Sequence, residues 1–204
     1  KKQLILGWTL DLPASIYDCC TQKGLDFNSR YRKWFLKNIP DNASVLDIGC
    51  AVGITLESFK KAHKPVFYKG IDFVFQYIDE AKKKFKDELF ELQDGMNLKE
   101  ENNSWEYILI SYLLDQVPDY RPFIREALRV AKKQVIFSFF IPPWDKPTFD
   151  ECANHSKYPF RSYVIHWNKL ELDKFLKGFG FPIQIIKLSP EYSFDWTIYT
   201  ITKI

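Results

Sequence analysis

Ser44-Val45-Leu46-Asp47-Ile48-Gly49-Cys50-Ala51-Val52-Gly53 is the stretch that decides the fold. From Ser44 to Ile48 the residues are apolar apart from Ser44 and one carboxylate, Asp47, which predicts a short, fully buried strand. Gly49 ends it. Cys50, Ala51 and Val52 follow, then Gly53, and Ile54-Thr55-Leu56-Glu57-Ser58-Phe59 opens a helical pattern. A strand, a glycine turn and a helix N-terminus together bring a ligand close to main-chain N–H groups.

Two cofactor classes use this outline, and the side chains separate them. A dinucleotide site wants G-x-G-x-x-G, so that a pyrophosphate rests on the helix N-terminus. Here Ala51 stands at the second glycine position, and Asp47 at the strand end would repel a pyrophosphate. A carboxylate there favours an ammonium or a sulfonium, so the loop suits a cationic, amino-acid-bearing nucleotide. On these residues the chain resembles the class I S-adenosylmethionine-dependent methyltransferases, whose first motif is D/E-x-G-x-G-x-G. V-L-D-I-G-C-A-V-G matches at Asp47, Gly49 and Gly53 and departs at Ala51 by one methyl group.

Working outward, 204 residues with 46% hydrophobic and 17% aromatic content predict one α/β domain over 1–204 with a sizeable core. A net charge of +3 is nearly balanced and gives no nucleic-acid footprint. The adjacent Cys19 and Cys20, with Cys50 and Cys152, read as reduced thiols of a cytoplasmic protein. No run approaches the roughly 18 apolar residues of a membrane span, and the first residues lack a signal-peptide layout.

The alternation of strand and helix patterns predicts a doubly wound, mostly parallel seven-stranded sheet. Helices cover both faces and an antiparallel hairpin closes the C-terminal end. Strands are expected at 44–48, 66–72, 89–93, 105–111, 134–141, 183–188 and 196–204. Residues 142–167 read as the longest irregular stretch, rich in aromatics and carrying Pro142, Pro143, Pro147 and Pro159. Asp72, ending the second strand, stands roughly 20 residues past the glycine loop, the interval at which an acid meets a ribose hydroxyl in such folds.

The resemblance implies the cofactor, S-adenosyl-L-methionine, with S-adenosyl-L-homocysteine as product, and a set of residues around it. Asp47, Gly49, Cys50, Ala51 and Gly53 would line its methionine and ribose side, and Asp72 would take the ribose hydroxyls. Phe73 would stack near the adenine, Asp94 and Gly95 would meet its amino end, and Ser111 would close the loop near the methyl group. An Asx turn before Gly95 is the bland reading of Asp94. In the family the segment after the fourth strand often carries a His pair where Asp115 and Gln116 stand here. Residues 1–40 would form an N-terminal helical cap, and 142–167 an acceptor-side loop.

These features lead to methyl transfer onto a hydroxyl or other nucleophile of a small molecule, such as a sugar or a biosynthetic intermediate. A base is needed only for a protonated acceptor, and His155 and His166 are the candidates, with Asp115 and Tyr112 behind them. Arg161 suits an anionic acceptor, and Trp144 and Tyr158 add aromatic surface. The histidines at 63, 155 and 166 are too dispersed for a metal motif. Ile141-Pro142-Pro143-Trp144 is similar to the N/D-P-P-Y/F motif of base-amine methyltransferases, but it begins with Ile and follows the fifth strand. A cofactor-binding regulatory protein without turnover, a protein-substrate methyltransferase and a nicotinamide-dependent oxidoreductase are the competing readings. The oligomeric state stays open.

Overall fold

Asp47 lies level with Gly70 and Leu109, on an interior strand flanked by two parallel neighbours, the strand that the glycine turn follows. The computed structural model describes residues 30–86, 88–139, 148–155, 158–188 and 196–204, with 30, 148–155, 158–164 and 196 given by main chain only.

In chain order the elements are α1 (Arg30–Asn38), β1 (Ala43–Ile48), α2 (Ile54–Lys61), β2 (Val66–Asp72), α3 (Phe75–Lys84), β3 (Leu89–Leu92) and β4 (Trp105–Ser111). There follow α4 (Arg121–Val130), β5 (Ala131–Ser138), β6 (Thr148–His155), β7 (Tyr158–His166), α5 (Lys169–Lys177), β8 (Ile183–Leu188) and β9 (Trp196–Thr202). Seven strands form one sheet in the order β3-β2-β1-β4-β5-β9-β8. The first five are mutually parallel, and β9 runs antiparallel to both β5 and β8. This is the doubly wound sheet with an antiparallel C-terminal hairpin that the patterning predicts.

Alternation along the central strands feeds two cores. Leu46, Ile48, Ile108 and Ile110 pack with Phe123, Ile124, Ala127 and Leu128 of α4 and Leu172 and Leu176 of α5. Val45, Leu109 and Ile136 pack on the opposite face with Tyr31 and Phe35 of α1, Leu56 and Phe59 of α2, and Ile78 and Ala81 of α3. Asp47 shares the alternation of Val45, so its carboxylate is buried beneath α1 and α2 rather than beneath α4. Local chemistry fixes the helix ends: Asn168 Oδ1 accepts from Glu171 N at 3.0 Å and caps α5. Asp119 Oδ1 takes Arg121 N at 3.0 Å ahead of α4, with Pro122 in its first turn. Lys203 Nζ donates to Leu128 O at 3.1 Å and Ala131 O at 2.8 Å, closing the C-terminal end of α4.

One expectation is corrected. Residues 142–167 are not an irregular loop throughout, because β6 and β7 pair antiparallel as a separate two-stranded ribbon from Thr148↔His166 to His155↔Tyr158. The prolines drew the reading toward loop, but Pro159 is not among the register-paired residues of the ribbon, which shifts register between Ala153 and His155. Strand boundaries also move: β5 runs from Ala131, directly after α4, to Ser138 where 134–141 was expected, and β9 ends at Thr202. Most of the expected N-terminal cap, 1–29, and the Ile141–Trp144 motif lie outside the described residues.

Candidate active site

The glycine turn is tied to β2 by its main chain. Gly49 N and Cys50 N both donate to Ile71 O, at 2.8 and 3.0 Å. Ala51 N donates to Asp72 Oδ2 at 3.0 Å, while Asp72 Oδ1 accepts from Val74 N at 2.9 Å. Asp72 thus clamps the loop, with one main-chain donor on each oxygen and further acceptor capacity on both.

The turn needs left-handed backbone at three alternate positions: Gly49 has φ 77°, Ala51 has φ 47° and Gly53 has φ 81°. A Cβ at Gly49 would come within 2.9 Å of Leu113 Cδ2, and one at Gly53 within 2.8 Å of Phe85 Cε2 and 2.9 Å of Phe90 Cζ. The methyl group at Ala51, which looks like a trivial departure in the sequence, therefore sits where glycine is preferred and costs about 1 kcal/mol of strain.

Asp47 lies beneath the loop and is 1% exposed. Its Oδ2 accepts from the Tyr68 hydroxyl at 2.6 Å, and its Oδ1 has no donor at hydrogen-bonding geometry among the described residues. Burial pushes its pKa up to about 6, moderated by Tyr68, Thr55 and Arg32. Burial likewise pushes Asp72 up to about 6, against the main-chain donors that hold it down. Cys50, buried beside both acids, is a free thiol whose pKa is pushed well up, first by burial and then by those carboxylates.

Phe73 follows Asp72 and is 41% exposed; Leu92 at the end of β3 and Met96 are also exposed. Asp94 Oδ1 accepts from Met96 N at 2.9 Å, so the Asx turn is present, on an exposed carboxylate beside that apolar surface. Gly95 is buried: a Cβ there would meet Ile48 Cγ2 and Phe123 Cε1, each at 2.7 Å. Packing of α4 on β1 accounts for that glycine without a ligand.

A second cluster stands at the carboxyl ends of β4 and β5. Ser111 lies level with Ser138, and its Oγ shares a short hydrogen bond with the Tyr31 hydroxyl of α1. Burial pushes the Tyr31 phenol up to about 12. The Tyr31 and Tyr112 rings lie 5.1 Å apart, and Tyr112 takes φ 54°, an unusual conformation for an aromatic residue directly after a central strand.

Asp115 is fully buried, and the end of β7 crosses over it. Ile165 N donates to Asp115 O at 2.7 Å, and Trp167 Nε1 donates to Leu114 O at 2.7 Å. His166, also buried, thereby arrives next to the segment that carries Asp115 and Tyr112. His155, Tyr158 and Arg161 are placed on the ribbon by main chain, their side chains lying outside the described residues, and Trp144 lies outside them altogether.

Tyr31, Tyr68 and Ser138 belong to this site and escape the sequence reading. Tyr68 and Ser138 show only as polar atoms in buried strands, and Tyr31 depends on how α1 docks. Register and docking, not local pattern, bring them to Asp47 and Ser111.

A family described as "Methyltransferase domain" matches residues 22–183. The chain belongs to that family. It is 32% identical over 114 residues to demethylmenaquinone methyltransferase of Bacillus subtilis, covering 50% of this chain and 49% of that one. With the enzyme of the same name from Staphylococcus saprophyticus it shares 33% over 110 residues, covering 50% and 46%. The chain thus spans about half the length of the curated relatives it matches. In fold it is similar to a SAM-dependent methyltransferase from Methanosarcina mazei (TM-score 0.65, 18% identity, 83% of this chain and 97% of that one). It is also similar to magnesium protoporphyrin IX methyltransferase from Synechocystis, solved with SAM bound (TM-score 0.58, 17% identity, 96% and 98%).

Among the described residues, no helix is long and apolar enough to cross a membrane, and no group of three or more His, Cys, Asp or Glu is placed to hold a metal ion.

Proposed function

We propose that the chain transfers a methyl group from S-adenosylmethionine to a small-molecule acceptor. The observation that carries this reading is the clamp of Ala51 N on Asp72 above a buried Asp47. Two carboxylates at one glycine turn, one with an oxygen lacking a donor, are poor company for a pyrophosphate and good company for a cationic amino-acid nucleotide. The residues present fit that group. Four of the five main-chain N–H groups of 49–53 are already spent inside the fold, on Ile71 O, Asp72 and Cys50 O. The turn would therefore take the cofactor's methionine end by close approach of its backbone, with Asp72 at the ribose hydroxyls, Phe73, Leu92 and Met96 at the adenine, and Asp94 and Gly95 at its amino edge.

When bound, the cofactor supplies a methyl carbon already activated by its sulfonium. The chain's own part is positioning and proton handling. Ser111, held by Tyr31, and Tyr112, held in left-handed backbone, fix the wall at the end of β4, where alignment of the reacting atoms supplies much of the acceleration. His166 takes a proton from a hydroxyl acceptor, and Asp115 and Tyr112 stand beside its segment to orient it. Helix α1 caps this end of the sheet, and the β6–β7 ribbon, with His155, Tyr158 and Arg161, forms the acceptor side. We read 1–204 as one such domain.

The relatives' name supports an acceptor of the demethylmenaquinone kind, and none of the relatives above supports a sugar. The test is a calorimetric titration of wild type and Asp72→Ala with S-adenosylmethionine and S-adenosylhomocysteine, followed by a turnover assay with demethylmenaquinone. Micromolar binding, at least tenfold weaker in the variant (about 1.4 kcal/mol), is the expected result. No binding by the folded wild type overturns the reading. Binding without turnover on any acceptor favours the regulatory alternative.

A further inference from the structure

Away from the glycine turn, a cleft of about 510 Å³ lies between α4 and α5, lined by Tyr120, Arg121, Arg125, Lys174, Phe175 and Phe179, together with Glu171. Its volume is in the range of small-molecule sites. Its walls are rings: Tyr120 meets Phe175 edge-on at 5.5 Å, and Phe175 meets Phe179 edge-on at 5.1 Å. Its rim is cationic. The Arg121 guanidinium lies 5.8 Å from the Tyr120 ring centroid, and that of Arg125 lies 5.2 Å from the centroid of Phe175.

The cations are not equivalent. Arg121 is already neutralised by Asp119 at 2.8 Å, and Glu171 faces it as well. Among the described residues, Arg125 and Lys174 have no carboxylate within 4.0 Å. A guanidinium over a ring gains from the ring's quadrupole, yet its net charge remains. Asp119, paired with Arg121, also acts on Arg125 at longer range, yet the cleft lining still carries three cations against one carboxylate, Glu171. That excess of positive charge calls for an anion, and the ring walls call for a flat apolar body attached to it. A bare ion satisfies the first demand only, and a neutral hydrocarbon only the second.

We propose that the α4–α5 cleft is a second ligand site that binds a small aromatic anion, its carboxylate, sulfonate or phosphate held by Arg125 and Lys174 and its ring by Phe175 and Phe179. The site is separate from the glycine turn and does not depend on the cofactor assigned there. It is in mechanical contact with the acceptor side, because the Tyr120 ring lies 4.8 Å from that of Trp167, whose Nε1 holds Leu114 O. A molecule seated in the cleft therefore presses on the residue pair that anchors β7 over Asp115.

The test is a nuclear magnetic resonance titration of the whole chain with three probes: naphthalene-2-sulfonate, the neutral naphthalene-2-sulfonamide and inorganic phosphate. The sulfonate is expected to shift the Phe175, Phe179 and Lys174 resonances saturably. The other two probes should bind at least tenfold more weakly, and the R125Q/K174Q double variant should lose tenfold or more of the sulfonate affinity at an unchanged unfolding temperature. The proposal is overturned by equal binding of the sulfonamide, by equal binding of phosphate, by an unaffected double variant, or by shifts confined to residues 49–53 and 72–73. S-adenosylmethionine titrated in parallel reads the other site, so each proposal can fail while the other stands.

Discussion

Ala51 N and Asp72 Oδ2, 21 positions apart in the chain, are joined by a 3.0 Å hydrogen bond that holds the glycine turn against the end of β2. The bond makes one side chain responsible for both the shape of the turn and the charge beneath it. Replacing Asp72 by Asn keeps an acceptor for one of the two main-chain donors and turns an amide N–H toward the other. Asp72→Asn is expected to lower stability by about 1–3 kcal/mol, read by chemical denaturation, in addition to any loss of cofactor affinity.

Ala51 and Gly53 test the turn from opposite directions. Ala51→Gly relieves a left-handed alanine at φ 47° and should raise stability by up to about 1 kcal/mol. Gly53→Ala imposes at φ 81° a strain that glycine does not have and adds contacts of 2.8–2.9 Å with Phe85 and Phe90, so a loss of more than about 2 kcal/mol is expected. Paired thermal melts decide both, and equal effects would show that backbone conformation does not govern the turn.

Asp47 gives a pH dependence with a definite sign. Its carboxyl, ordinarily near 3.8, is pushed up to about 6 in the folded chain by burial. Between those values the folded state holds a proton that the unfolded state has released. Its contribution is therefore fully present below about pH 4 and is lost as pH rises to about 6. Asp47→Asn, which retains an acceptor for Tyr68, should reduce the slope by the share of Asp47, leaving that of Asp72, which is raised over the same range, and should stabilise the ligand-free chain at pH 7 by about 1–3 kcal/mol. The same variant should bind S-adenosylmethionine more weakly. Urea titrations at pH 4.5 and 7 measure the first effect and calorimetry the second.

Tyr31→Phe strips Ser111 of its hydroxyl partner while keeping the ring on Phe35 and Tyr112. A stability loss of about 1 kcal/mol is expected. If the pair sets the wall beside the acceptor, kcat should fall more than cofactor affinity, which steady-state kinetics beside calorimetry would reveal.

His166→Gln removes the candidate base at the end of β7. Turnover should drop by about 100-fold, with S-adenosylmethionine affinity within about twofold of wild type. Unchanged turnover would assign the proton transfer elsewhere, His155 being the next variant to make.

The sheet was legible because the inner parallel strands are buried on both faces toward their carboxyl ends and read there as short, mainly apolar runs, as at 45–48, 108–110 and 135–137. Asp47, Gly49, Gly53 and Asp72 were legible because a turn that brings main chain to a ligand restricts residue type at fixed spacing. The ribbon at 148–166 was not, since its prolines and aromatics fit a free-edged hairpin as well as a loop. The Tyr31–Ser111 bond and the Tyr68–Asp47 bond were not either: each depends on docking or register between elements, to which residue pattern within one element is blind. The strain at Ala51 lay between the two, visible as a departure from the motif but not as a conformational cost until its φ was known.

The placement of β9 between β5 and β8 also constrains how the molecule can be made. Residues 196–202 are synthesised after every other strand of the sheet, yet they occupy an interior position, with Tyr199 stacked on Phe137 at 5.1 Å. Until they leave the ribosome, β5 presents an unpaired apolar edge, and β8 has no partner among the described strands. The nascent chain therefore carries its greatest hazard of pairing with a neighbour between the emergence of β5 and that of β9, and β9 acts as the closure that ends it.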